Sequence, residues 1–212
     1  MGIHIFKDGA TYEEALSAFQ YAKTFDDVVL LETFLPGKEY RFLVIGDDVA
    51  GILHRVPANV TGDGTSSIRQ IVATKNEDPL RGKGYKTPLE KIDIDEVVIS
   101  FLRAQGKTPD SIPALDERVF LRENSNISTG GDSIDYTDQI SDIYKRIAVD
   151  AAKSVGATIC GVDMMIPSLD DAQIEYGIIE LNFNPAIHIH AFPYEGKERP
   201  IGEMLLDLLF KY

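Results

Sequence analysis

The chain has 212 residues, 44% hydrophobic and 26% charged, with no low-complexity tract. That balance specifies a folded globular protein, long enough for one large domain or two small lobes around a cleft, and excludes a disordered chain. Its 34 acidic and 21 basic residues leave a formal net charge of -13, which opposes general binding to nucleic acid or to an anionic membrane.

No apolar run reaches the roughly 18 residues of a membrane span, and the N-terminal MGIHIFKDGA lacks the basic and long apolar regions of a secretory leader. The cytoplasm is the expected compartment. The single cysteine, Cys160, can form neither an intrachain disulfide nor a cysteine metal cluster. In the apolar run ATICGVDMMI it reads as a buried core residue rather than a nucleophile.

A short apolar run, Ile3 to Phe6, opens the chain, and Thr11-Tyr-Glu-Glu14 is a capping-box pattern that starts a helix through about Lys23. Val28 to Leu31 reads as a buried strand, and Pro36-Gly37 as a turn and hinge. Residues 40–45 and 49–54 flank Gly46-Asp-Asp48 as a tight hairpin. Residues 57–91, rich in Gly, Pro, Asn and Asp, read as a long functional loop or insertion with one helical pattern at 68–75.

A helix is expected over 94–105, ended by Gly106, and a short strand over 119–122. Over 141–155 the four-residue spacing of Ile143, Ile147, Ala151 and Val155 predicts a helix packed on the sheet by that stripe. Strands follow at 159–166 and 176–182, with a polar linker at 168–175 between them. Ile201, Met204, Leu205, Leu208 and Leu209 share one face of a closing helix.

Asp163 interrupts an apolar strand, and Glu180 and Asn182 lie two apart on the next, hence on one face. Two carboxylates and a carboxamide oxygen suit a hard cation such as magnesium, which takes its remaining ligands from water and substrate phosphates and so points to a nucleotide. The competing reading is of salt-bridged acids at strand ends. In Leu121-Arg-Glu-Asn-Ser-Asn-Ile-Ser-Thr-Gly-Gly131, an arginine precedes a Gly-rich turn whose N–H groups could cradle an anion, although such a turn is usually only a loop. The stretch from Glu32 to Arg41 offers backbone to an adenine edge, Phe34 as an apolar wall and Glu39 to ribose hydroxyls, or is simply a strand, a turn and a hairpin with surface charges. His188 and His190 alternate as zinc ligands would along a strand, but without a third ligand nearby, so substrate contact or packing is the favoured role.

The stretches EYRFLVIGDDVAGILHRVPANVTGDG, NEDPLRGKGYKTPLEKI, LRENSNISTGGDSIDYTD, ICGVDMM and IIELNFNPAIHIHAFPYEGK together resemble the ATP-grasp ligase family, specifically the C-terminal part of bifunctional glutamate–cysteine ligase/glutathione synthetases. Cyanophycin synthetase is similar in the GDG, DP-RG, STGG and E-x-N segments, and the wording of KGYKTPLEKI and RENSNISTGGDSIDYTD favours the glutathione enzyme. The resemblance implies an α+β chain with the C-terminal portion of an ATP-grasp fold, its antiparallel or mixed sheet flanked by helices. Residues 1–38 would be a remnant of the first lobe with its hinge, and residues 39–212 the second lobe carrying the metal site.

The same resemblance implies ATP with Mg2+, or Mn2+ in its place, and the substrates γ-glutamylcysteine and glycine, joined through an acyl phosphate. Adenine would lie at Glu32, Phe34 and Leu35 and the ribose at Glu39. Asp163, Glu180 and Asn182 would hold the metal, and Arg122 would stabilise the transferred phosphoryl group. Asn124, Ser128, Thr129, Gly130 and Gly131 would border the phosphates or the acceptor carboxylate, with Arg41 and Arg55 as further contacts. The family's N-terminal lobe, with its lysines and phosphate-covering loop, and the glutamate–cysteine ligase module would lie upstream, so an incomplete piece with little or no turnover is expected. A module that holds nucleotide without catalysis is the alternative in a different class.

Overall fold

The computed structural model describes residues 4–6, 9–84, 86–169 and 174–210. Helix α1 (Tyr12–Ala22) begins at the expected capping box: the Thr11 hydroxyl accepts from the Glu14 N–H, and the Glu14 carboxylate accepts from the Thr11 N–H. The hairpin of β1 (Lys38–Ile45) and β2 (Asp48–Val56) follows, turning at Gly46 with φ +63. Between them, Val28, Leu30 and Leu31 stand 75%, 80% and 96% exposed and form no strand, contrary to expectation. An apolar β-branched run becomes a strand only where another strand takes up its backbone groups, and none lies beside it among the described residues. The opening run includes Ile3, which lies outside the described residues, as do Tyr85 and residues 170–173 of the expected polar linker.

Residues 57–91 are an insertion with its own elements rather than a loop, and the expected helix at 68–75 is present. They hold β3 (Asn59–Thr61), α2 (Ile68–Lys75), β4 (Arg81–Gly82) and β5 (Leu89–Glu90). Then come α3 (Glu96–Ala104), capped by Asp95, and β6 (Arg118–Phe120), which pairs with β3. These elements share their own core of Ala58, Val60, Ile68, Val72, Ile92, Val98, Leu102, Val119 and Leu121. A second capping box, Ser67 with Gln70, starts α2 and was legible as a sequence pattern. The Gly and Pro content sets tight turns between short elements rather than an open loop.

The chain returns through β7 (Asp132–Asp135), α4 (Asp142–Ser154), β8 (Ile159–Ile166), β9 (Gly177–Asn182), the single-turn α5 (His188–Ala191) and α6 (Ile201–Phe210). The main sheet runs β7-β2-β1-β8-β9 with every neighbouring pair antiparallel. Its residues alternate in direction. Tyr40, Phe42 and Val44 of β1, opposite Met164, Val162 and Cys160 of β8, form one buried face with α4. Cys160 is fully buried there, and burial raises its thiol pKa, as expected of a core residue.

The α4 stripe sits one residue away from its expected position. Tyr144, Ala148, Val149 and Ala152 are buried, whereas Ile143, Ile147 and Ala151 are half-buried and Val155 is 44% exposed. Two alanines at the centre let the helix approach the sheet closely, so small residues, not the largest ones, mark the contact line. On the sheet's other face Leu43, Ile45 and Ala50 pack beneath Ile201, Met204, Leu205 and Leu208 of α6, while Leu209 of the expected stripe stays exposed. No described helix is long and apolar enough to cross a membrane.

Enlarging the α4 contact should overpack it. We expect Ala148→Leu to lower unfolding free energy by about 1–3 kcal/mol, and Leu31→Ser, at an exposed site, to change it by less than about 0.5 kcal/mol, in matched denaturant melts. Equal effects would mean that α4 does not seal this core.

Candidate functional site

Cross-strand register decides which charged residues meet. Arg41 of β1 lies opposite Asp163 of β8, and Asp163 opposite Glu180 of β9. Asn182, Glu39 and Arg55 occupy the same face by strand alternation. Asp163 is 3% exposed, and Arg41 clasps both its oxygens: Nε donates to Oδ1 at 2.6 Å and Nη2 donates to Oδ2. Arg55 Nη2 donates to Oδ2 at 3.2 Å and also pairs with Glu39, which accepts from the Ser125 hydroxyl at 3.3 Å. Burial opposes the charge on Arg41, but the hydrogen bonds and charge of Asp163, helped by Glu180, outweigh it and raise the pKa. Glu180 is exposed and has no ion pair among the described residues, while the half-buried Asn182 accepts through Oδ1 from the Asn184 N–H at 2.9 Å.

A cleft of about 350 Å3 opens over Arg41 and Arg55. Pro88, Glu90 and residues 126–128 form one wall, and Ala186, His188 and Ile189 the other. Arg55 Nε is buried without a hydrogen-bond partner among the described residues. It is a buried donor left unsatisfied by protein on a residue that lines the cleft.

The Gly-rich turn reaches this cleft through Ser128 but does not present the expected backbone cradle. The N–H groups of Thr129, Gly130 and Gly131 donate to Asn126 O, Ile127 O and Asn126 O at 3.1, 3.0 and 3.2 Å, closing a 3-10 turn over Ile127–Thr129. The Thr129 hydroxyl donates to Asn124 Oδ1 at 3.0 Å. The glycines serve packing: Gly130 has φ +91 and a Cβ there would lie 2.7 Å from Ile92 Cγ1, while one on Gly131 would lie 2.9 Å from Val56 O.

Other expected residues stand apart from the cleft. Arg122, 9% exposed, donates from Nη2 to Asp95 at 2.5 Å, and its buried Nε has no partner among the described residues. Glu32 and Phe34 are exposed, Leu35 packs against Gly177 at the start of β9, and residues 32–35 belong to no helix or strand. His188 and His190 lie on a helical turn, not a strand, so residues two apart point to different sides. His188 lines the cleft and His190 is 1% exposed, which removes the paired zinc geometry.

Sequence reasoning missed Arg81. Its fully buried side chain pairs with Asp132 and donates from Nη1 to Glu90 O at 2.9 Å and to Gly130 O at 3.2 Å, tying together two segments beside the cleft. The Asp-Pro-Leu-Arg-Gly string contained it, but periodicity carries no signal for a buried strut.

No family model matches the chain. A glutathione biosynthesis bifunctional protein, GshAB, from Clostridium perfringens is 57% identical over 212 residues, which is 99% of this chain and 27% of that protein. Its counterpart in Desulfotalea psychrophila is 53% identical over 211 residues, again 99% and 27%. The crystal structure of a bifunctional glutathione synthetase from Pasteurella multocida superposes with a TM-score of 0.82 at 47% identity, covering 99% of this chain and 29% of that one. The chain matches one region of the bifunctional glutathione biosynthesis proteins along nearly its whole length. It spans about 27% of the length of those relatives. The α+β fold, an antiparallel sheet flanked by helices, is shared with the bifunctional glutathione synthetase.

Two histidines, His190 near Arg41 and His54 on the opposite face of the sheet, make acid stability measurable. Burial, then the charge of Arg41, lowers His190 to about 3, and burial, then Lys38, lowers His54 to about 4. The fold keeps both neutral where the unfolded chain, titrating near about 6.5, takes up protons. Their contribution to stability is therefore intact above about pH 6.5 and is lost as pH falls toward the folded values, at about 1.4 kcal/mol per pH unit for each histidine. We expect His190→Gln to reduce the slope of unfolding free energy between about pH 6 and 4.5 by that amount. An unchanged slope would mean that His190 protonates freely within the fold.

Proposed function

We propose that the chain contributes the metal- and phosphate-binding face of an ATP-grasp ligase that makes glutathione from γ-glutamylcysteine and glycine, forming ADP and phosphate. The observation that carries this reading is the convergence of Arg41, Arg55, Asp163, Glu180 and Asn182 on one sheet face beside a cleft with an unsatisfied guanidinium donor. The similarity to bifunctional glutathione biosynthesis proteins supports the choice of reaction. On this reading residues 1–38 belong to the first lobe and hinge and residues 39–212 to the second lobe. The single, buried cysteine suits a cytoplasmic setting.

The donor set fits a divalent cation. A carboxylate offers about four acceptor directions, and Asp163 uses three for guanidinium N–H groups, leaving one, while Glu180 is exposed. Mg2+ or Mn2+ would be held chiefly by Glu180, with Asp163 and Asn182 beside it. Bound there, the ion would neutralise charge on phosphate oxygens during transfer.

The chain's own residues would do the rest. Arg41, fixed by Asp163, and Arg55, fixed by Glu39 and Asp163, present oriented cations to phosphate oxygens with little reorganisation. Arg122, held along one edge by Asp95, is assigned to the transferred group. Glu32, Phe34 and Leu35 would border the base and Glu39 the ribose. Asn124, Ser128, Thr129, Gly130 and Gly131 would shape the wall that receives the substrate carboxylate. That carboxylate attacks the γ-phosphorus, forming a C–O–P link as the bond to ADP breaks. The neutral amine of glycine then attacks the carbonyl carbon, the carbon–oxygen bond to phosphate breaks, and the proton the nitrogen loses leaves with the phosphate. Excluding water from the cleft would protect the acyl phosphate.

Calorimetry of ATP binding tests this reading. We expect binding that requires Mg2+ and weakens at least tenfold in Glu180→Ala and in Asp163→Ala, each shown to be folded by its thermal transition. Metal-independent binding, or binding indifferent to both changes, would overturn the assignment of this face.

A further inference from the structure

Arg81 does not line the cleft over Arg41 and Arg55, but it bonds the two segments that form one wall of that cleft. Nη1 donates to Glu90 O at 2.9 Å and to Gly130 O at 3.2 Å, and Nη2 pairs with Asp132. Glu90 lines the cleft beside Pro88, and Gly130 closes the turn whose residues 126–128 complete the wall. Two distant stretches of the insertion therefore meet on one guanidinium.

The guanidinium is itself fixed. Its side chain is 0% exposed, and the Tyr194 ring covers it with the ring centroid 5.1 Å from the central carbon. Its anchor, Asp132, also accepts from Lys75 Nζ at 2.7 Å and from Asn59 Nδ2 at 2.9 Å, so the carboxylate is held independently of Arg81. Sheet register then ties the anchor to the cleft: Asp132 of β7 lies opposite Val56 of β2, the residue after Arg55. The path from a cation of the cleft to its facing wall is thus one ladder pair, one ion pair and two hydrogen bonds. A planar fork can hold two carbonyls and a carboxylate at fixed angles, which a single ammonium on a flexible stem cannot.

We propose that Arg81 is a positioning residue for the anion site, setting the place of Glu90 and of residues 126–128 relative to Arg55 and so the affinity of the cleft for phosphate. It acts through the wall and touches no ligand. The proposal rests on the reading of this cleft as a nucleotide-phosphate site.

The test compares the 212-residue chain with Arg81→Lys and with the milder Asp132→Asn, which keeps an acceptor oxygen for Nη2 and removes the charge. Both should fold, because Asp132 keeps Lys75 and Asn59 as partners when Arg81 is changed, and each is checked by its thermal transition. Ala148→Leu, in the core on the other face of the sheet, is the control for lost stability alone. Without ligand, 15N relaxation dispersion at Ile127 and Ser128 should show new microsecond-to-millisecond exchange in Arg81→Lys and none in Ala148→Leu. In calorimetry with ATP and Mg2+, Arg81→Lys should weaken binding about tenfold and Asp132→Asn by a smaller factor, with Ala148→Leu unchanged. The proposal is overturned if Arg81→Lys and Asp132→Asn bind as tightly as the unaltered chain, if Ala148→Leu weakens binding equally, or if the motion at Ile127 and Ser128 is unchanged. An unaltered chain that binds no nucleotide overturns the phosphate reading instead, and the relaxation data then decide by themselves whether Arg81 positions the wall.

Discussion

The bidentate pair between Arg41 and Asp163 is the constraint around which the charged face is arranged. Each charge sits in the middle of a strand of the main sheet, directly opposite the other, with both residues less than a tenth exposed. Removing such ions from water costs several kcal/mol each, and the arrangement persists only where geometry and additional hydrogen bonds offset that cost. Arg55 supplies one of those bonds and is itself anchored by Glu39. The result is a rigid row of guanidinium groups with acids at its back and a cleft in front, suited to holding anions in a fixed orientation.

The segment between β2 and β7 makes that row into a site. Without it the sheet would present a flat charged surface. Because residues 57–131 fold around their own apolar core, they can suspend Pro88, Asn126 and Ser128 over Arg41 and Arg55. Arg81 joins this unit to the sheet: its guanidinium holds Glu90 O and Gly130 O and pairs with Asp132 at the start of β7. Asp132 is also bound by Lys75 at the end of α2. A single buried carboxylate thus holds cations from two parts of this unit.

Much of this organisation was legible in the amino-acid order, because it rests on local rules. Capping residues placed the starts of α1 and α3, glycines marked the ends of α3 and α4, the Gly46-Asp-Asp48 turn located the hairpin of β1 and β2, and a polar linker between two apolar runs located β8 and β9. An aspartate in ICGVDMM and an E-x-N pair on the following strand were conspicuous for the physical reason that bare carboxylates do not belong in apolar strands. The errors were also local. Val28 to Leu31 had the composition of a buried strand but no neighbour, His188 and His190 were read with a two-residue period where the chain makes a helical turn, and the α4 stripe was centred on isoleucines instead of the alanines that touch the sheet.

What the sequence by itself determined is therefore the longer helices, the strands β1, β2, β8 and β9, and the chemical character of the acids and arginines. Those follow from backbone preferences and side-chain period, which act over a few residues. Only the tertiary structure decided which charges meet. Arg41 and Asp163 are 122 positions apart, and Arg81 and Gly130 are 49 apart. Their contacts come from sheet register and from the closing of a second core, which no short window of sequence encodes. The tertiary contacts of Gly130 with Ile92 and of Gly131 with Val56 O likewise make the Gly-rich turn a packed wall, its N–H groups at 129–131 bonded inside the turn.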